Sequence, residues 1–145
     1  MRQSKKTIIL ICFLAGISCF AQDSSVGEMY QRTYPIQNGG VIEYTLSLQP
    51  DGTFDFHFYR NIICGTCVEE NYFGKGSWST EKNVYYFKSE ATHLDEKYTL
   101  SLNNSKARSN KPSPRNKSPK IKKEAIRFYA SEISWIKGME LFKVQ

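Results

Sequence analysis

Cys64-Gly65-Thr66-Cys67 is the one short motif in this 145-residue chain whose residue types and spacing could do chemistry. Two thiols three positions apart suit a disulfide, a redox couple or half of a metal site. With Gly65 and Thr66 at the centre of a tight turn, the cysteines take its first and fourth positions. Their Cα atoms then lie within ~7 Å, close enough for a disulfide. Glycine in the first central position suits a type II′ hairpin turn. Thioredoxin-like activation relies on a helix N-terminus to lower a thiol pKa, and no helical pattern adjoins the pair. A tetrahedral zinc site needs four ligands, and His57 and His93, the only histidines, stand on separate segments. Copper(I) is content with two thiolates and is the more economical metal, provided the pair is reduced. Staple, thiol chemistry and copper handling all stay open at this point.

Other reaction signatures are absent from the sequence. It has no glycine-rich phosphate cradle, no HExxH and no GxSxG. His57 alternates with Phe56 and Phe58 and is expected to face solvent. Glu69-Glu70 and Asp95-Glu96 are sequence neighbours, which puts the two members of each pair on opposite faces of a strand or in a flexible turn, and neither arrangement aligns an acid with a base. The expectation is a protein that binds rather than catalyses, with no catalytic residue.

The elements that must position these residues begin after a leader. Arg2, Lys5 and Lys6 precede an apolar run at 8–17, and the segment closes on Cys19-Phe20-Ala21, the small-residue pattern a signal peptidase reads. Residues 1–21 are therefore expected to be a signal peptide, and the protein to be exported to the periplasm or beyond. Membrane association follows only if Cys19 is a lipidated first residue, and Gly16 stands where a lipobox carries a large aliphatic. Cleavage removes Cys12 and Cys19, so Cys64 and Cys67 remain as each other's only partner, in a compartment that favours oxidation.

Residues 22–40, polar and holding Pro35 and Gly39-Gly40, read as an irregular lead-in with one helical turn near 27–32. Residues 41–145 read as a single β-barrel domain. Period-two alternation marks the strands: Tyr44, Leu46 and Leu48 share one face, and Phe54, Phe56 and Phe58 another, with Pro50-Asp51-Gly52 as the hairpin turn between them. Strands continue toward Trp78 and over 84–87. An echo follows: Tyr44-Thr45-Leu46-Ser47-Leu48 recurs as Tyr98-Thr99-Leu100-Ser101-Leu102, Phe58-Tyr59 as Phe128-Tyr129, and Ser77-Trp78 as Ser134-Trp135. Two four-strand halves predict an antiparallel up-and-down meander, an eight-strand lipocalin-like barrel closed on itself. Its interior candidates are Tyr44, Leu46, Leu48, Phe54, Phe56, Phe58, Trp78, Leu100, Phe128 and Trp135. Lys137-Gly138 predicts a two-residue turn before a closing strand.

Charge is concentrated in one segment. Residues 103–124 hold eight Lys or Arg against one acid, a net of +7, inside a chain whose formal net charge is +6. Rich in Pro, Ser and Asn, the segment reads as a basic loop. Lys106, Arg108, Lys111, Arg115, Lys117, Lys120, Lys122 and Lys123 could meet anionic envelope polymers or headgroups. Export separates the protein from cytoplasmic DNA and RNA, so no nucleic-acid partner is expected.

Ile42-Glu43 leading into Leu46-x-Leu48-x-x-Asp51-Gly52-Thr53-Phe54, then Tyr59 and Gly76-Ser77-Trp78, resembles the N-terminal barrel of NlpE-type copper-resistance and envelope-stress lipoproteins over about residues 40–90. The resemblance implies a small lipocalin-like barrel, with copper handling or stress signalling as associated roles. In that family the CxxC pair precedes the first of these strands, whereas here it follows the second, so no site residue carries over. The reading that results is an exported, non-enzymatic envelope module that binds a small apolar ligand or docks on an envelope component. Copper or thiol handling through the CxxC pair and adhesion through the basic loop are the alternatives.

Overall fold

A computed structural model describes residues 27–111 and 123–145. They form nine strands: β1 (Glu28–Pro35), β2 (Val41–Leu48), β3 (Thr53–Asn61), β4 (Glu70–Glu81), β5 (Val84–Lys88), β6 (Tyr98–Leu100), β7 (Ser105–Asn110), β8 (Ala125–Ala130) and β9 (Glu140–Lys143). Eight of them run β1-β2-β3-β4-β5-β7-β8-β9 around an antiparallel barrel, and β9 returns to pair with β1. β6 is additional and lies parallel to β4 at Phe73 and Gly74. The chain is thus all-β, a closed eight-strand lipocalin-like barrel with one extra strand.

Alternation places the side chains as expected in the first half. Leu46, Leu48, Phe54, Phe56 and Phe58 are buried, with Tyr44 half-buried against them. Phe54 meets Phe87 edge-on at 5.2 Å, and Phe87 packs on Phe128 at the same centroid distance. The tight turn also forms: Gly52 takes φ 85°, its N–H donates to the Gln49 carbonyl, and Asp51 accepts from the Thr53 N–H at 2.9 Å. That hydrogen-bonded turn docks on β4, where the Trp78 indole N–H donates to the Gln49 carbonyl at 3.1 Å. Trp78 is half-buried there, stacked near Tyr85.

The barrel has eight strands, though not the eight that alternation predicts. Within the lead-in, residues 28–35 form β1, which pairs with β2 along its whole length and with β9, so neither an irregular segment nor a helical turn stands at those residues. The basic loop is shorter than 103–124, because 105–110 form β7, with Lys106 and Arg108 in the barrel wall. Residues 1–26 and the basic positions Arg115, Lys117, Lys120 and Lys122 lie outside the described residues. The echo does not repeat in three dimensions. Its first copy is the full strand β2, whereas Leu100 belongs to the three-residue β6 and is only half-buried. Trp135, its other displaced member, stands in a turn.

Charge and burial close the seam between first and last strands. Lys143 donates to Glu28, Glu124 lies 3.5 Å from the same ammonium, and the buried Tyr30 hydroxyl donates to Glu28 at 2.9 Å. Burial alone would raise the Glu28 carboxyl, but the hydrogen bonds from Lys143 and Tyr30 and the Lys143 charge outweigh it, so its pKa falls below the usual value. A carboxyl depressed in the folded state contributes stability above its unfolded pKa and loses it as pH falls through the folded pKa. Stability should therefore decline below about pH 4.5. Glu28→Gln should cost about 1 kcal/mol at neutral pH, because the pair is partly exposed, and should flatten that acid limb in a series of thermal melts.

Candidate functional site

Strand direction separates the two ends of the barrel. Connections 36–40, 62–69, 89–104 and 131–139 gather at one end, and 49–52, 82–83 and the seam residues Glu28, Lys111, Glu124 and Lys143 at the other. Cys64 and Cys67 occupy the first end. Lys111 and Lys123, on either side of the residues outside the description, lie at the second.

Cys64 and Cys67 are joined as a disulfide with Cα atoms 5.2 Å apart. The turn between them differs from the expected one. Gly65 does not adopt a positive φ, which a type II′ turn would require, and the bond sits inside the longer loop 62–69 that links Arg60 and Glu70, register partners on β3 and β4. The loop is exposed from Ile63 to Glu69, so the bond staples a solvent-facing tip and does not hold the core. Both sulfurs are consumed by it, and among the described residues no group of three or more His, Cys, Asp or Glu could hold a metal ion. The pair as it stands does not fit a copper(I) site. Replacing both cysteines with serine should leave the barrel folded and lower its stability by roughly 2 kcal/mol at most, since the closed loop is short. Denaturant midpoints of the two proteins check this.

Next to the stapled tip an aromatic cleft of about 390 Å³ opens at the barrel mouth, lined by Ile42, Tyr44, Phe58, Arg60, Glu70, Tyr72 and Trp135. The strands supply one wall by alternation: Tyr44 on β2 meets Phe58 on β3 at 5.2 Å, and Phe58 stacks on Tyr72 on β4 at 5.8 Å. Trp135 supplies the other. The chain 131–139 is a compact turn with the Ile136 and Lys137 N–H groups donating to the Ile133 carbonyl, and Ile136 and Met139 buried beneath it. Ser131 and Ser105 share a hydrogen bond, and Asn104 donates to Glu132, which ties the turn to β7. Trp135 is held 5.1 Å from Phe58 and 6.0 Å from Tyr44, yet remains 41% exposed. It caps the mouth and is not part of the interior.

Polar groups rim this surface. Arg60 and Glu70 form an ion pair at its edge, beside the disulfide loop. Burial, with the neighbouring Tyr34, raises the Tyr44 hydroxyl above its ordinary pKa, so it stays a neutral donor. Sequence reasoning placed Tyr44, Phe58 and Trp135 inside a core and did not single out Arg60, Glu70, Tyr72 or Ile42. The available signal was the hairpin register: residues that flank the cysteine loop symmetrically must face one another across β3 and β4.

The histidines have other duties. His57 faces outward, as its alternation predicts, stacked on Phe73 at 4.3 Å and hydrogen-bonded to Asn71. The His93 ring accepts from the Glu90 N–H and caps a short 3-10 turn.

Fold and mouth together define a class, a small closed β-barrel with a packed interior and an aromatic cleft at one end. No protein-family model matches this chain, no curated protein matches it, and no solved structure does.

Proposed function

We propose that this protein is an exported, non-enzymatic binding module of the cell envelope, a small β-barrel that takes a modest apolar ligand at its mouth. The observation that carries the reading is the cleft of about 390 Å³ between Phe58, Tyr72 and Trp135, within the size range of small-molecule sites, apolar on its walls and polar at one rim. The barrel interior is filled by Phe54, Phe56, Phe87 and Phe128, which favours the mouth over the lumen as the place for a ligand. The disulfide suits an oxidising compartment and so favours export. Engagement of an apolar side chain of an envelope component would use the same surface. The copper and thiol alternative is weaker because the sulfurs are bonded to each other.

Titration with the neutral apolar fluorophore N-phenyl-1-naphthylamine tests this. We expect saturable binding with energy transfer from tryptophan, weakened about tenfold by Trp135→Ala, the effect of losing one well-placed aromatic contact. Trp78→Phe, at the opposite end, should leave the affinity unchanged. Absence of saturable binding, or equal binding in the Trp135→Ala protein, would remove the small-ligand reading and leave docking.

A further inference from the structure

On the outer wall of β7 and β8, beside the 131–139 turn, Arg108 and Arg127 are direct cross-strand partners. Like charges directly opposite each other on a sheet face destabilise it unless something neutralises them. Among the described residues neither arginine makes an ion pair, and the same holds for Lys137 on the adjoining turn. Glu140 is the register partner of Arg127 on β9, yet it forms no ion pair with it. Arg108, Arg127 and Lys137 line a cleft of about 510 Å³. A bulge shapes this place. Lys106 pairs with Ala130 and Ala107 with Phe128, so Tyr129 is the extra residue, and its ring lies under the Arg108 guanidinium at 5.3 Å. Bulges re-aim side chains, and a ring beneath a guanidinium orients its fork outward.

We propose that this cleft is a binding site for a phosphate-type oxyanion, held by Arg108 and Arg127 with Lys137 as a third cation. Paired guanidinium forks match tetrahedral oxyanions bidentately, and the bound anion adds neutralisation to a ladder in which two arginines face a single carboxylate, Glu140. The site shares Arg108 with the basic segment that composition singles out, but it lies in the barrel wall and its second arginine belongs to β8. The phosphate can belong to a free phosphorylated small molecule or to a lipid headgroup.

Pyrophosphate titrated into the 15N-labelled protein should give saturable amide shifts at 108, 127–129 and 137–138. Arg127→Gln and Arg108→Gln should each weaken binding by about tenfold or more, the effect of losing a charge-assisted hydrogen bond. Without ligand, Arg108→Gln should melt slightly above the parent, because the like-charge pair is relieved, and Arg127→Gln, which also gives up its cross-strand neighbour Glu140, should melt close to it, which shows that the loss of binding is not a loss of fold. Replacing Arg115, Lys117, Lys120 and Lys122 together by Gln should leave binding nearly unchanged. Phosphatidylglycerol vesicles identify the source: sedimentation with them that depends on Arg127 assigns a headgroup, and its absence alongside pyrophosphate binding assigns a free phosphate. No saturable shift, binding in both arginine variants as tight as in the parent, or loss only in the fourfold Gln variant overturns the proposal.

Discussion

Gly76→Ala is expected to destabilise the barrel by about 3 kcal/mol or more, far beyond the usual cost of adding one methyl group to a strand. The reason is space. A Cβ built on Gly76 would stand 2.2 Å from the Lys88 carbonyl oxygen and 2.9 Å from the Phe54 ring. Beyond Lys88 the chain leaves the barrel wall and folds back against β4, with Ser89 donating to the Lys75 carbonyl and accepting from the Leu102 N–H, and Leu102 buried over Gly74. That crossing fills the gap which short β5 leaves beside long β4. Backbone on one side and a packed ring on the other leave the methyl nowhere to go. Gly65→Ala is the control, since nothing lies within 4 Å of its Cβ position, and its effect should stay within about 0.5 kcal/mol. Urea midpoints at unchanged slope would measure both. A Gly76→Ala protein as stable as the parent would mean that the chain does not cross there.

The same crossing shows how far the sequence could be read. In β2 and β3 large apolar residues occupy every second position, and the fold, the 49–52 turn and the inward set Leu46, Leu48, Phe54, Phe56 and Phe58 follow from that. β7 hides because its inward residues are Ser105, Ala107 and Ser109. Phe87 and Phe128 reach across from the neighbouring strands and leave room only for small side chains, so the strand reads as a polar loop. β1 hides for a related reason: Tyr30 is its one buried residue, and Arg32 stands in the seam donating to the Glu140 carbonyl. Ile133 and Trp135 mislead in the opposite direction, their spacing imitating a strand while the chain makes a turn. Alternation reports which side chains a strand buries, and it fails where neighbours do the filling. The mouth and the arginine cleft depend on register, on a bulge and on a turn, none of which leaves a periodic signal.

Phe54→Ala should cost about 3–5 kcal/mol, the range for truncating a buried phenylalanine. Phe54 is 1% exposed and bridges Phe87 and the Gly76 backbone at the centre of the barrel. Its removal should also change what the barrel can hold. In the parent protein the lumen is occupied by its own rings, so benzene should shift the melting temperature only as far as binding at the mouth allows, an increment that Trp135→Ala removes. The truncated protein has a dry apolar cavity of the kind that binds benzene, and saturation should raise its melting temperature measurably. Coupling gives a second reading. Adding Gly76→Ala to Phe54→Ala removes the ring clash but keeps the one with the Lys88 carbonyl, so the combined cost should be less than additive while exceeding that of Phe54→Ala alone by at least about 1 kcal/mol. Full rescue of Gly76→Ala by the truncation would place the constraint in the ring alone. Benzene stabilising a Trp135→Ala protein as much as the Phe54→Ala variant would mean that the lumen already has room, and the ligand site would then belong inside the barrel and not at the mouth.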